Sequence, residues 1–249
     1  MNSLLRYPGG KFYMLEDIIG IINKSGKNAI IDVFSGSGKI LLNINARIKV
    51  YNDINGNIVN FFNEVKHNKN NIIKKLSYAI NSRELFNLYN EPTPDNTENA
   101  FRFLYRNILS FNGEGRNYSY SIKRNKSITL LNIDKALNKF YDDIKYWTIE
   151  NLDYREIIKK YDSEDSFFYL DPPYHNIKDL YDYNLNDDDY IEIKKLLENI
   201  KGKYLLNINE DDFILNLFGE PNLRKEYTNF GVNGRNARKS NRVELFYYN

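Results

Sequence analysis

The sequence predicts an α/β fold: a mostly parallel sheet of the nucleotide-binding type, interrupted by an inserted segment of different character. Three observations carry this. The apolar run Ala29-Ile30-Ile31-Asp32-Val33-Phe34 leads into Ser35-Gly36-Ser37-Gly38 and then a helical start at Lys39, the strand, glycine turn and helix of nucleotide folds. A second apolar run, Phe167-Phe168-Tyr169-Leu170, stops abruptly at Asp171-Pro172-Pro173-Tyr174, because neither proline can donate to a β-ladder. Between the two, from about residue 70 to 143, helical periodicity and a basic hairpin pattern replace the alternation of strand and helix.

The elements follow in order. Ile48-Lys49-Val50-Tyr51 reads as the second strand and ends at Asn52-Asp53; an acid after the second strand binds ribose hydroxyls in many Rossmann-like folds. Gly36-x-Gly38 lacks the third glycine of the dinucleotide fingerprint, with Leu41 in its place. Helical patterns run from Asn55 to about Lys75 and from about Arg83 to Phe111, the latter with Phe101, Leu104, Tyr105, Ile108 and Leu109 as its core face. Asn112 to Arg116 is a glycine-containing loop. Tyr118 to Ile122 alternates, Lys123-Arg124-Asn125-Lys126 turns, and Ser127 to Leu131 returns, a hairpin with a basic tip. A short helix (Asp134 to Tyr141) and a strand (Tyr146 to Glu150) lead back to the sheet. Asp187 to Asn199 reads as a helix, with strands at Tyr204 to Ile208 and Val243 to Tyr248. The expected division is a discontinuous catalytic domain, residues 1–69 and 144–249, and an inserted recognition domain, residues 70–143.

Composition narrows the chemistry. A chain of 249 residues can bury a real core. It has no cysteine, which excludes disulfides and thiolate metal sites, and its only histidines are His67 and His175. No metal is therefore expected, and His175 reads as a solvent-facing loop residue. No apolar run reaches the length of a membrane span, and the N-terminus lacks a signal-peptide core, so a soluble, cytoplasmic protein without membrane partners is expected. The net charge of +2 hides segregation. Arg102, Arg106, Arg116, Lys123, Arg124 and Lys126 face a single acid, Glu114, in one segment; Arg224, Lys225, Arg235, Arg238, Lys239 and Arg242 face only Glu226 in another. Basic segments on a near-neutral protein point to a polyanion surface, although solvated helix and loop faces look similar.

The Asp171 quartet places an acid, a rigid carbonyl and an aromatic ring at the carboxyl end of a strand, where ligands bind in open α/β sheets. That grouping suits holding a planar exocyclic amine while it attacks a methyl donor. The amino nitrogen of adenine is a poor nucleophile because its lone pair is delocalised. Acceptors on its two hydrogens, the Asp171 carboxylate and the Pro172 carbonyl, draw it toward tetrahedral geometry and stabilise the positive charge that develops. Tyr174 can stack on an extruded base. Asp171 is held extended by the proline after it.

These blocks together resemble the Dam-type (alpha-group) DNA adenine-N6 methyltransferases. Arg6-Tyr7-Pro8-Gly9-Gly10-Lys11 is similar to the N-terminal cofactor motif, Asp32-Val33-Phe34-Ser35-Gly36-Ser37-Gly38 to the glycine loop, Tyr51-Asn52-Asp53-Ile54-Asn55 to the ribose-binding acid and Asp171-Pro172-Pro173-Tyr174 to the catalytic motif. Phe111-Asn112-Gly113 and the tip at Arg124 resemble the target-recognition region. The resemblance implies a Rossmann-like S-adenosylmethionine-dependent methyltransferase sheet with an inserted helical and β-hairpin target-recognition domain. It implies S-adenosyl-L-methionine bound by Tyr7, Gly9, Lys11, Asp32, Phe34, Gly36, Gly38, Asp53 and Asp153. Asp153 also precedes a helical run and so suits an N-cap. It further implies methyl transfer to N6 of adenine in duplex DNA by base flipping, with Asp171, Pro172, Pro173 and Tyr174 catalytic; a cognate restriction endonuclease is one partner such an enzyme can have, and the sequence leaves a restriction-modification, orphan or phage role open.

The recognition tip departs from the family. Members that read GATC often carry a Pro-Phe-Gly-Arg-like run where this chain has Ser121-Ile122-Lys123-Arg124, so only the arginine is retained. Arg124 can still read a guanine edge, which makes GATC the expected site. Asn112 and Lys123 belong to the same surface, and Arg116 and Lys126 suit phosphate contacts. An RNA adenine-N6 methyltransferase and a catalytically inactive DNA-binding module are the rival readings. The basic hairpin favours duplex DNA over RNA, whose sequence is read mainly at unpaired bases.

Overall fold

The structure is a computed structural model. It describes residues 4–6, 12–111, 113–119, 130, 132–176, 183–230 and 239–249, with the backbone alone for Phe12, 228–230 and 239–241. A seven-stranded sheet has the order β3-β2-β1-β4-β5-β7-β6, where β1 is Ala29–Asp32, β2 Ile48–Asn52, β3 Thr148–Glu150, β4 Ser166–Leu170, β5 Lys203–Asn209, β6 Leu223–Phe230 and β7 Lys239–Tyr248. β4 runs parallel to both β1 and β5, while β7 is antiparallel to β5 and to β6. The chain order therefore reverses between β1 and β4, a topological switch point, and the carboxyl ends of those two strands are where the rule for open α/β sheets places a ligand. The sheet is mixed α/β and mostly parallel, as the sequence pattern requires.

The chain forms two compact units. One comprises residues 11–34, 44–50 and 152–249. Its core is aliphatic and aromatic: Ile31, Val33, Phe168, Leu170, Leu206, Ile208, Leu245 and Tyr247 from the strands pack with Ile157, Ile193 and Ile214 from helices. Those helices are α7 (Tyr154–Tyr161), α8 (Asp187–Glu198) and α9 (Asp212–Phe218); α1 (Leu15–Lys24) also belongs to this unit. Every residue of β4 is buried, so after Ser166 it reads as a continuous apolar run with no alternation. Asn186 opens α8 with a capping box closed by Asp189.

The other unit comprises residues 1–10, 35–43 and 51–151. It holds α2 (Lys39–Leu42), α3 (Gly56–Ser77), α4 (Arg83–Leu88), α5 (Asn96–Leu109) and α6 (Ile133–Ile144). Phe61 and Phe62 of α3 meet Phe140 of α6, and Phe62 stacks on Tyr51 at 4.1 Å between ring centres and on Trp147 at 6.4 Å. The helix expected from Arg83 to Phe111 is two helices. Pro92 and Pro94 lie between them and cannot continue a helix, and Asp95 caps α5 by accepting hydrogen bonds from the amides of Thr97 and Glu98. α3 is bent at Asn68, whose φ and ψ of −130° and 22° are not helical. The expected hairpin lies mostly outside the described residues; Tyr118, at its start, forms an isolated antiparallel bridge with Ser110.

Candidate active site

Around the switch point, in the unit that holds β4, Asp32 ends β1 fully buried and Asp171 follows β4 half-buried. Their strands are in register, Asp32 beside Tyr169, and the Val33 amide donates to the Tyr169 carbonyl at 2.9 Å. Burial first, then the charges of Asp171 and Asp32, hold the Tyr169 phenol well above its ordinary pKa. Two carboxyl groups thus lie near the Tyr169 phenol, acceptors of the kind that suit a donor-rich amine. The quartet itself is braced from two sides. The Tyr190 hydroxyl of α8 donates to the Pro173 carbonyl. The buried Tyr174 hydroxyl donates to Glu244 Oε1 of β7. Beyond the quartet, Asn176 turns the chain with φ of 60°.

His175 corrects the sequence reading: it is buried, only 7% exposed, and does not face solvent. Its ring stacks on Phe213 with centres 4.5 Å apart and meets the edge of Tyr190. Its two nitrogens lie 2.9 Å from Asp211 Oδ1 and 3.0 Å from Asp187 Oδ1. A histidine directly after the motif is therefore an anchor for the turn, tied to the starts of α8 and α9. Sequence spacing gives no sign of this, because both carboxylates come from later segments.

In the other unit the glycine turn is built around Asp53. One carboxylate oxygen accepts the Gly36 amide at 2.8 Å and the other accepts the Asn55 amide at 2.9 Å. Burial raises the Asp53 pKa, and those two amides partly offset it. The Tyr51 hydroxyl donates to the Gly36 carbonyl at 2.7 Å, and the Asn151 amide group to the Asp53 carbonyl at 2.7 Å. Gly38 requires its lack of a side chain: its φ is +67°, and a Cβ would stand 3.2 Å from both Phe62 Cζ and Trp147 Cζ3. The turn is thus rigid, with lone pairs still available on the Asp53 carboxylate.

The remaining expected residues fall in several places. Asp153 is the N-cap of α7: its side chain accepts the Arg155 amide at 2.8 Å and pairs with the Arg155 guanidinium. Phe34 lies 6.0 Å from Tyr154, ring centre to ring centre. Arg116 is exposed. Tyr7, Gly9, Lys11, Asn112, Lys123, Arg124 and Lys126 lie outside the described residues. The ends of two of those motifs are nevertheless joined by a residue that the sequence did not single out. Buried Asn107 receives the Arg6 amide at 3.2 Å and donates to the carbonyls of Arg6 at 2.6 Å and Gly113 at 2.7 Å. Glu244 was also missed, although a lone acid inside Val243-Glu244-Leu245-Phe246 is the kind of local conflict that marks a site.

Comparison with known proteins identifies the family. The family model of D12 class N6 adenine-specific DNA methyltransferases matches residues 7–229. The chain belongs to that family. A DNA adenine methylase of Haemophilus influenzae is 29% identical over 198 residues, 70% of this chain and 64% of that protein. Modification methylase StsI of Streptococcus sanguinis is 24% identical over 194 residues, 70% of this chain and 29% of that protein. A DNA N-6-adenine-methyltransferase of Escherichia phage P1 is 28% identical over 119 residues, 45% of this chain and 16% of that protein. The matched stretches thus span under two thirds of these relatives. Among the described residues, no helix is long and apolar enough to cross a membrane.

The donor set of the D12 chain fits the methyl donor that the family implies. Asp53 offers a rigid carboxylate of the kind that accepts from a ribose diol. When bound, S-adenosylmethionine supplies an electrophilic methyl group on a sulfonium.

Proposed function

We propose that the chain methylates N6 of adenine in duplex DNA, using S-adenosyl-L-methionine. The observation that carries this reading is the braced Asp171-Pro172-Pro173-Tyr174 turn at the switch point. Asp171 and the Pro172 carbonyl accept hydrogen bonds from the two N6 hydrogens. As the nitrogen bonds to carbon it gains positive charge, and the fixed carboxylate stabilises that charge without having to reorganise. Tyr174 stacks on the extruded base. Asp32, Phe34, Gly36, Gly38, Asp53 and Asp153, with Tyr7, Gly9 and Lys11, hold the methyl donor. Residues 70–143 form the DNA-recognition segment, Arg124 reading guanine within GATC and Asn112, Arg116, Lys123 and Lys126 holding the duplex. The relatives' names support the DNA substrate, and the Streptococcus sanguinis modification methylase supports a restriction-modification setting with a partner endonuclease.

The test incubates purified protein with methyl-labelled S-adenosylmethionine and either GATC-bearing duplex DNA or ribosomal RNA, then separates the nucleosides by mass spectrometry. N6-methyladenine in DNA alone supports the proposal. Label in RNA alone, in cytosine, or in neither nucleic acid contradicts it.

A further inference from the structure

Glu244 is fully buried, yet it is a carboxylate. Taking such a charge out of water is costly unless hydrogen bonds hold it, and an apolar residue of similar size would serve a central strand better. Two donors hold it. The Tyr174 hydroxyl donates to Oε1, and Asn207 Nδ2 of β5 donates to Oε2 at 3.2 Å. Asn207 is also fully buried, and the same Nδ2 donates to the Leu245 carbonyl at 3.3 Å, which fixes it against β7. β5 and β7 pair antiparallel, with Asn209 opposite Glu244, so the carboxylate is set by a sheet ladder and not by a loop. Burial, followed by the Glu244 charge, keeps the Tyr174 phenol protonated and donating throughout the working range of pH.

The consequence concerns the ring of Tyr174. It is the first aromatic residue after the two prolines, and its backbone lies in an irregular turn. A ring held only by apolar neighbours can tilt; one tethered through its hydroxyl to a rigid strand cannot. We propose that Glu244, oriented by Asn207, is the positioning residue that fixes the Tyr174 ring as a platform for the extruded adenine. The role rests on the methyltransferase reading above. Glu244 touches no reacting atom; it acts through Tyr174, so that the stacking surface is formed before the base arrives and little ordering is left to the binding step.

Four variants test this: Tyr174→Phe keeps the ring and removes the tether, Glu244→Leu removes the tether from the other side, the double variant combines these two, and Glu244→Gln keeps an acceptor. Each is assayed for fluorescence of duplex DNA carrying 2-aminopurine at the target position, for kcat and KM of methyl transfer, and for Tm. The expected result is a loss of about tenfold in kcat/KM, with a weaker flipped-base signal, for both Tyr174→Phe and Glu244→Leu, the size of a lost charge-assisted hydrogen bond. The double variant loses no more than either single one, and Glu244→Gln regains most of the loss. In the double variant Tm recovers relative to Tyr174→Phe, because the stranded buried charge is gone, while the flipped-base signal stays weak. A role in stability alone predicts instead that the signal recovers along with Tm. That outcome, or wild-type fluorescence in Glu244→Leu, overturns the proposal. A wild-type chain that transfers no methyl group to adenine overturns the functional reading, and the role with it.

Discussion

Replacing Gly38 with alanine separates the need for glycine in the turn from a mere preference for it. The residue has φ of +67°, and a methyl group there would lie 3.2 Å from two ring atoms, Phe62 Cζ and Trp147 Cζ3. The left-handed conformation costs a residue with a Cβ about 1–2 kcal/mol. Crowding a packed aromatic cluster costs about 1–3 kcal/mol more. Alanine also narrows the unfolded ensemble, which returns about 0.4–1 kcal/mol. The net loss is about 2–3 kcal/mol, and at about 2–4 °C per kcal/mol for a chain of this size Tm should fall by about 5–10 °C. Gly20 is the internal control. It lies within α1, and a Cβ there would meet nothing within 4 Å. Gly20→Ala should therefore stabilise the protein, by about 0.5–1 kcal/mol, through helix propensity. Thermal and guanidinium denaturation of both variants read the difference. Gly38→Ala melting at or above the wild-type temperature, or both variants losing the same amount, would refute the reasoning.

Three further predictions concern particular residues. Asn107→Ala removes three hydrogen bonds that join Arg6 to the Gly113 loop and should cost about 2–3 kcal/mol in denaturant titrations; a loss under about 0.5 kcal/mol would contradict the bridge. Asp17 is pushed up by burial, but hydrogen bonds from Lys225 and Tyr227 outweigh this and hold it below its ordinary pKa. The stability of that contact is complete above the unfolded carboxyl value of about 3.9 and fades as pH falls through the lower native value. Asp17→Asn should thus be about 0.5–1 kcal/mol less stable than wild type near neutrality, with the gap closing in urea titrations carried to acid pH. Lys126→Ala should weaken DNA binding for all sequences alike and flatten the slope of log Kd against log salt by about 0.9, whereas Arg124→Ala should relax selectivity at one guanine.

Much of the sheet was legible because buried parallel strands are written as short apolar runs. β1, β2, β4 and β5 all appear within a residue or two of the expected bounds. The proline pair after Leu170 marked the turn for the same reason that it forms, since the ladder cannot continue there. What the sequence hid was pairing across distance. β6, with Arg-Lys-Glu-Tyr in its run, looks like a charged surface segment, yet it pairs with β7 over eight residues. The bracing of the quartet by Tyr190 and Glu244, and of His175 by Asp187 and Asp211, joins residues 12 to 70 positions apart, for which local pattern carries no signal. Asp153 shows the opposite case, because its place before a helical run made its capping role readable.

The central claim is that the Asp171 quartet methylates adenine in DNA. Its most direct test is to express the chain in a host lacking adenine methylation and to map modified bases across the host genome, with Asp171→Ala as control. The account predicts N6-methyladenine in one short motif, absent in the variant. An unmodified genome in cells that contain soluble, folded wild-type protein would contradict it.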